Sequence, residues 1–351
     1  MLDIPVAEVA LPWGSRSTSN KKANALAILL CPITLVRYTM RFMRSTPKRN
    51  TICTFNWAIL ATLGFIWGGS FLGVEISLIG FGPITVAAIR VTVAAIILLV
   101  YTYIFGDGLP RISSKTEKRV WLHCLGMALF TNALPFSLLS WGQQTVTSGF
   151  AGISMALVPL FVLPLSHKLV PGERLSREKL IGFLFGFSGV VLLIGGEKIF
   201  VNEPHTPILL LTQIACIAAS FCYAMGTVIT KLCPPVSAVS YAACGLMLAS
   251  FMLLPAALWF EGIPESPHSL SIAAVVYLAL FPTAIATILL TILVRRAGPP
   301  FLSLVNYQVP IWAVVIGVTC LGEMLPGHFL IALSIILGGL FISQLSVPRV
   351  S

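Results

Sequence analysis

Ten apolar stretches, each of membrane-spanning length, fill the chain from Phe55 onward. A transmembrane helix needs about 20 predominantly apolar residues, and short polar or Gly/Pro segments separate these stretches. The runs are continuous rather than alternating, which excludes a transmembrane β-barrel. The sequence therefore predicts an all-α polytopic membrane protein with ten transmembrane helices. These predicted helices, called spans 1 to 10 below, are Phe55–Ile76, Pro83–Phe105, Val120–Trp141, Ser148–Leu169, Lys179–Gly195, Ile208–Thr230, Ser237–Trp259, Leu270–Val294, Phe301–Leu321 and Gly327–Leu345.

The composition excludes the soluble classes of protein. Charged residues make up 10% and apolar residues 57% of the chain, whereas a soluble domain carries about 25% charged residues. A soluble enzyme, a DNA-binding protein and a disordered protein are therefore excluded. The eight cysteines include no Cys-x-x-Cys pair, so they indicate neither a disulfide framework nor a zinc site.

The basic residues are distributed unequally between the two sides of such a bundle. Of the 22 Lys and Arg residues, all but Lys198 and Arg90 precede span 1, lie in or directly beside the loops after even-numbered spans, or lie in the tail. Positively charged loops stay on the cytoplasmic side of a membrane. We therefore expect a multi-pass protein of the cell (inner) membrane with both termini in the cytoplasm. The net charge of +10 then reflects this bias and does not indicate a nucleic-acid partner.

A basic N-terminal segment, residues 1–54, precedes the spans. Its apolar run from Ala23 to Val36 contains Pro32 and is too short to cross a membrane. Two interpretations stay open: a disordered extension, or a translation start at Met40 or Met43 that leaves a short basic leader.

The two halves of the spanning region resemble each other. Five spans in each half predict a first repeat at 55–196 and a second at 197–346, followed by a tail at 347–351. An odd number of spans inverts the second repeat in the membrane, and inverted repeats are typical of secondary transporters. The shared positions, at an offset of 151 and then 150 residues, include Ala128-Leu129-Phe130 with Ala279-Leu280-Phe281, Pro159 with Pro310, Gly172-Glu173 with Gly322-Glu323, and Gly189 with Gly339.

A set of motifs runs through the first half of the spanning region. They are Trp67-Gly68-Gly69-Ser70-Phe71, Arg90, Asn132-Ala133-Leu134-Pro135-Phe136, Trp141-Gly142-Gln143, Pro159 and Gly172-Glu173-Arg174-Leu175. This pattern resembles the EamA family of the drug/metabolite transporter superfamily, and the resemblance covers roughly Trp57 to Leu345. It implies ten helices in two inverted halves, and export or exchange of small metabolites, often amino acids and their analogues. Glu75 departs from the family pattern, because many relatives have a basic or neutral residue there.

Arg90 lies well inside span 2, about 10 Å beyond Pro83 at 1.5 Å per residue. A charge at that depth costs at least about 2–3 kcal/mol and usually faces a partner or a wet cavity. We predict either an anchor for a substrate carboxylate or a gate residue. The alternative is a structural counter-charge that snorkels outward.

Glu75 lies near the outer end of span 1, where it is expected to approach Arg90 if spans 1 and 2 pack together. A carboxylate in a partly dry site can take up a proton, which makes protons a candidate coupling ion. The alternative is a solvated carboxylate at a helix end.

Nine further residues are candidates for substrate binding or gating. Asn132 and Pro135 interrupt span 3, and Pro282 and Thr283 interrupt the matching stretch of span 8. Such breaks mark binding sites or hinges in transporters, and polar groups in other spans need partners inside lipid. Helix packing is the alternative role. The nine are Trp67, Ser70, Asn132, Pro135, Ser220, Tyr223, Asn306, Tyr307 and Gln308. We expect Glu173 and Glu323 to cap the first turns of spans 5 and 10.

These features together predict a secondary transporter that exports a small metabolite by alternating access. A metabolite or nucleotide-sugar exchanger of the same superfamily, an intramembrane enzyme and a channel are the alternatives. The histidines do not converge on a catalytic set, and no Gly-x-x-x-x-Gly-Lys-Ser/Thr loop for ATP occurs. We predict no enzymatic activity, no cofactor and no metal. The partners are a small-molecule substrate and the lipid bilayer, and the oligomeric state stays open.

Overall fold

The computed structural model describes residues 54–173, 175–200, 206–265, 267–297, 299–302 and 304–344. All of them belong to a compact unit formed by residues 52–351. They fold into helices joined by short loops, and this part of the chain contains no β-strand. Residues 1–53 of the N-terminal segment, the tail at 347–351 and Arg174 lie outside the described residues.

Each predicted span coincides with a helix, and the helices are numbered here as the spans were. α1 is interrupted only at Gly69. A short helix, Pro299–Leu302, precedes α9. The helices are α1 Thr54–Ser77, α2 Pro83–Phe105, α3 Lys115–Gly142, α4 Ser148–Leu169, α5 Arg177–Phe200, α6 Pro207–Leu232, α7 Ala238–Phe260, α8 Ser269–Val294, α9 Val305–Leu321 and α10 Gly327–Gln344.

Nine of the helices in the described ranges are long and apolar enough to cross a membrane. α9 has 17 residues, which corresponds to about 26 Å at 1.5 Å per residue, against a hydrocarbon core of about 30 Å. The count of ten transmembrane helices therefore stays a prediction.

Local signals in the sequence explain where the helices begin. Ser114 and Glu117 form a capping box at the start of α3, which places its first turn five residues before the apolar run of span 3. The hydroxyls of Thr147 and Thr206 accept hydrogen bonds from backbone N–H groups in the first turns of α4 and α6. Such caps satisfy donors that a helix N-terminus leaves without partners.

Small residues let several helix pairs approach closely. α5 packs along α10, and α2 packs along α7. A Cβ atom at Gly339 would lie 2.5 Å from the Gly182 carbonyl oxygen, and one at Gly64 would lie 2.6 Å from Gln308 Oε1 of α9. These glycines therefore serve helix packing, as small residues commonly do between membrane helices.

Two segments of π-helix lie within α3 and α8. They span Ala128–Ala133 and Ala279–Ile285, so their first residues are separated by the repeat offset of 151. A π-helical turn inside an α-helix is rare and frequently marks a functional site.

Glu261 fixes the start of α2 from the loop that follows α7. Its carboxylate accepts hydrogen bonds from the backbone N–H groups of Ile84 (2.8 Å) and Thr85 (2.8 Å) and from the Thr85 hydroxyl (2.6 Å). A carboxylate at a helix N-terminus is stabilised by these charge-assisted bonds and by the helix dipole.

Glu323 plays the same part at the start of α4, and our expectation that it caps α10 is wrong. Its carboxylate accepts hydrogen bonds from the backbone N–H groups of Ser148 (2.7 Å) and Gly149 (3.0 Å). The short loop after α9 turns this side chain toward a neighbouring helix. Glu261 and Glu323 therefore both act on the face that holds the loops after α1, α3, α7 and α9, called the odd-loop face below.

Glu173 lies on the opposite face and also differs from the expected cap. Ser176 Oγ accepts the hydrogen bond from Lys179 N–H in the first turn of α5 (3.3 Å). Glu173 instead accepts a hydrogen bond from Lys231 Nζ at the end of α6, and the Lys179 ammonium lies 3.9 Å from it. The hydrogen bond and charge of Lys231 hold the pKa of the Glu173 carboxyl below its usual value.

Candidate functional site

A cavity of about 470 Å³ lies among the helices, a volume suited to a small organic molecule. It extends from Val74 and Gln143, near the odd-loop face, to Thr230 and Tyr241, near the opposite face. Apolar side chains dominate its wall. The polar and aromatic-polar residues of the lining are Trp67, Ser70, Arg90, Thr131, Asn132, Gln143, Tyr223, Thr227, Thr230, Tyr241, Thr283, Thr287, Thr291 and Asn306.

Arg90 projects from α2 into this cavity. Its side chain is 7% exposed, its Nε donates a hydrogen bond to Thr283 Oγ1 (2.8 Å), and its guanidinium carbon lies 3.9 Å from the centre of the Phe136 ring. Within the described residues it forms no ion pair. The protein therefore holds a desolvated positive charge by one hydrogen bond and a cation–π contact, which leaves its other donors for a ligand.

Thr283 owes its position to the π-helical segment of α8. Pro282 has no backbone N–H, and a proline inside a helix leaves the carbonyl four residues earlier, here that of Leu278, without its usual donor. The Thr283 hydroxyl donates to that carbonyl (2.8 Å) and accepts from Arg90. The same hydroxyl therefore satisfies the carbonyl freed by the proline and orients the arginine.

Asn132 occupies the position in α3 that Thr283 occupies in α8. Its Nδ2 donates to the Met127 carbonyl (3.2 Å), five residues earlier, just as Thr283 bonds to Leu278. Asn132 is 4% exposed and lines the cavity. Both π-helical segments therefore contribute a polar side chain to the same site from equivalent positions.

Trp67 connects α1 to the π-helical segment of α8. Its indole Nε1 donates to the Pro282 carbonyl (3.1 Å), and its own carbonyl accepts from Ser70 Oγ (2.6 Å). Trp67 and Ser70 both line the cavity. The aromatic ring is thereby oriented at the wall beside the helix break.

Glu75 does not meet Arg90, and the expectation that the two approach each other is wrong. Its carboxylate accepts a hydrogen bond from Gln143 Nε2 (3.5 Å), which also donates to the Phe71 carbonyl (2.9 Å). Glu75 lies outside the cavity lining and is half-buried near Glu323. α1 directs it toward α3 and the odd-loop face because α1 packs along α8 and α9 at this level rather than along α2.

Of the remaining residues that the sequence predicted for the site, two line the cavity and four lie outside its lining. Tyr223 and Asn306 line the cavity, whereas Pro135, Ser220, Tyr307 and Gln308 do not. Ser220 is buried and donates to the Ser154 carbonyl (2.7 Å), and Gln308 packs against Gly64. The Tyr307 hydroxyl is buried, and no described residue accepts or donates a hydrogen bond to it.

The sequence analysis missed a row of threonines on α8. Thr283, Thr287 and Thr291 all line the cavity, and residues four apart share one face of a helix. Thr287 and Thr291 donate to the carbonyls four residues earlier (2.6 and 2.9 Å), so each keeps only acceptor capacity for a ligand. Their spacing of four residues was visible in the sequence. No spacing or polarity in the sequence indicated that Phe136 would stack on Arg90.

No group of three or more His, Cys, Asp or Glu side chains suited to a metal ion occurs in the described part of the chain. The cavity therefore offers one cation, several hydroxyls and amides, and aromatic surface. Such a lining can bind a small molecule with one anionic end and an apolar body.

Comparison with known proteins identifies relatives of the whole helical region. A sequence model of the EamA-like transporter family matches residues 55–195 and 210–345. The uncharacterized inner membrane transporter YedA of Escherichia coli K12 is 28% identical over 79% of this chain and 86% of its own length. A probable terminal-alkyne amino-acid exporter of Streptantibioticus cattleyicolor is 25% identical over 77% of this chain and 86% of its own length.

A solved crystal structure has a related fold. It matches 85% of this chain and 99% of its own chain with a TM-score of 0.59 and 21% sequence identity. At that identity the likeness concerns the fold alone.

Proposed function

The chain belongs to the EamA-like transporter family, and from that premise we propose that it is a secondary transporter that exports a small metabolite, such as an amino acid or an amino-acid analogue, by alternating access. One observation carries the proposal: Arg90 lies in a cavity of about 470 Å³ enclosed by helices of both predicted repeats. A buried, unpaired charge inside a membrane bundle is costly and is usually functional.

The proposed inverted repeat has support beyond the sequence offset. The two stretches that the family model matches lie within the proposed repeats at 55–196 and 197–346. The π-helical segments and the side chains of Asn132 and Thr283 are related by the same offset. Helices exchanged by such a symmetry also form equivalent pairs, since α1 packs on α8 and on α9 while α6 packs on α3 and on α4.

The proposed substrate class draws on a named relative. The Streptantibioticus protein is named as an exporter of a terminal-alkyne amino acid. A carboxylate of a similar compound fits the free donors of Arg90, since guanidinium groups bind carboxylates with paired hydrogen bonds. Trp67 and Tyr223 supply aromatic surface for an apolar side chain.

Protons are the proposed coupling ion, with Glu75 as their carrier. The support is its half-buried position and its single hydrogen bond, from Gln143. A Glu75→Gln variant keeps the shape of the side chain but cannot exchange a proton, so it should flatten the pH dependence of transport. An unchanged pH profile of initial rates would remove Glu75 from this role.

The central test is a metabolite profile of medium and cytosol from cells that express the native protein. We expect at least one compound to be enriched in the medium, and Arg90→Ala to abolish that enrichment at matched membrane levels. Arg111→Ala is the matched control, because Arg111 is exposed in the loop after α2. Equal export by the native and Arg90→Ala proteins would refute the role of Arg90.

A further inference from the structure

The cavity lining carries a single charge, which restricts the net charge of its ligand. Arg90 is 7% exposed, and the lining contributed by the described residues includes no Asp, Glu or Lys. A charge moved into a low-dielectric site is stabilised by an opposite charge close by. In this cavity that opposite charge has to come from the ligand.

The two groups that contact the guanidinium, Thr283 and Phe136, are already engaged. The Thr283 hydroxyl accepts from Arg90 Nε and donates to the Leu278 carbonyl. The face of the Phe136 ring is covered by the guanidinium at 3.9 Å, so it cannot hold a second cation. An ammonium group placed beside Arg90 would find neutral hydroxyl and amide acceptors but no carboxylate, and it would be repelled by the arginine.

The carboxylate of Glu75 does not compensate such an ammonium from within the cavity. Glu75 lies outside the lining, accepts a hydrogen bond from Gln143 and forms no ion pair with Arg90. An α-amino acid carries its ammonium on the carbon next to its carboxylate. With the carboxylate on Arg90, that ammonium lies beside the positive charge and has no lining carboxylate to pair with.

We infer that the cavity selects an amphipathic organic acid that lacks a free α-ammonium group, such as a 2-hydroxy acid or an N-acylated amino acid. The carboxylate binds Arg90 and gives a complex with no net charge, while the apolar body packs on Trp67 and Tyr223. A zwitterionic amino acid would leave the charge of Arg90 uncompensated overall. This inference rests on the proposed function and narrows its substrate class: of the amino acids and analogues proposed there, it retains only the analogues that lack a free ammonium group.

Three probes with the same ring separate the two classes: L-phenylalanine, 3-phenyllactate and N-acetyl-L-phenylalanine. The purified full-length protein is reconstituted in liposomes, and each probe is tested for uptake by exchange against itself. Quenching of tryptophan fluorescence, to which Trp67 contributes, measures binding without turnover. We expect both acids to have a Kd and a KM at least about tenfold lower than phenylalanine, which corresponds to about 1.4 kcal/mol.

Asn132→Asp tests the electrostatic cause of the preference. The substitution is nearly isosteric and adds a carboxylate to the lining one helical turn before Phe136. It should reduce the preference for the acids over phenylalanine about tenfold. Asn132→Ala is the matched control, because it removes the amide without adding a charge and should keep the preference of the native protein.

Each outcome bears on the inference directly. Stronger binding of phenylalanine by the native protein would overturn it and leave the transporter function intact. An acid preference that is equal in Asn132→Asp and Asn132→Ala would refute the electrostatic cause. Failure of all three probes to bind or move would also overturn the inference, whereas the Arg90-dependent metabolite profile tests the transporter function separately. The comparison of probes on the native protein stands even if Asn132→Asp does not fold.

Discussion

At the scale of single residues, the site depends on how one charge is held. Arg90 is oriented by Thr283 and Phe136, which come from two different helices. Neither contact neutralises the guanidinium. The arrangement therefore positions the cation and keeps it available, which a salt bridge to a protein carboxylate would not do.

Thr283→Val tests this positioning role. The substitution keeps the shape of the side chain but removes the acceptor for Arg90 Nε and the donor to the Leu278 carbonyl. Since a hydrogen bond to a charged group contributes about 1.5–3 kcal/mol, we expect kcat/KM for transport to fall about ten- to a hundredfold.

Thr287→Val is the control for that measurement. The Thr287 hydroxyl also lines the cavity, but it donates only to the Thr283 carbonyl of its own helix. We expect a small change in the initial rate of transport. Equal losses in the two variants would show that Thr283 acts by helix stability and not through Arg90.

At the scale of helices, two carboxylates on the odd-loop face bond the segments after two helices to the N-termini of two other helices. Glu261 and Glu323 lie after α7 and α9, in the second proposed repeat, and they bind the starts of α2 and α4 in the first. In the proposed alternating access, opening of the cavity toward this face would separate these contacts between the proposed repeats. The contacts stabilise the arrangement described here, in which the starts of α2 and α4 are bonded to the segments after α7 and α9.

Glu261→Gln removes the charge of one such contact and keeps its shape. Its three charge-assisted hydrogen bonds become neutral or are lost, so the free energy of unfolding should fall by about 1–2 kcal/mol. The measurement is the thermal midpoint of the purified protein in detergent at pH 7. Glu265→Gln is the control, because Glu265 is exposed in the same loop; equal midpoints for the two variants would contradict the role of Glu261.

At the scale of the whole molecule, helices of both proposed repeats line the cavity of about 470 Å³. The π-helical segments of α3 and α8 bring Asn132 and Thr283 to it from equivalent positions. Helix breaks at matching positions of two repeats are a feature of transporters with inverted repeats, where they face the substrate.

The proposed orientation of the molecule gives a direct prediction. A reporter fused after Ser351 should be active only in the cytoplasm, because the predicted topology assigns twenty basic residues to the side of both termini. The same reporter fused within the loop between α1 and α2 should respond as an external one. A cytoplasmic signal from both fusions would contradict the proposed topology.

The sequence by itself determined the class of protein, because apolar runs of spanning length and the scarcity of charge leave few other folds. Its motifs indicated the family by resemblance. It also indicated Arg90, Trp67, Ser70, Asn132, Tyr223 and Asn306, all of which line the cavity. A polar group in an apolar helix is conspicuous, since burying it costs free energy unless it has a partner or a function.

Only the tertiary structure decided which side chains meet. In the structure, Glu75 contacts Gln143 rather than Arg90, and Glu323 caps α4 rather than α10. Ser220 and Gln308 serve helix packing. Contacts between helices depend on their relative rotation and crossing, which a pattern along one chain does not contain. The pairing of Arg90 with Thr283 joins residues 193 positions apart, so the electrostatics of the site arise from the packed bundle.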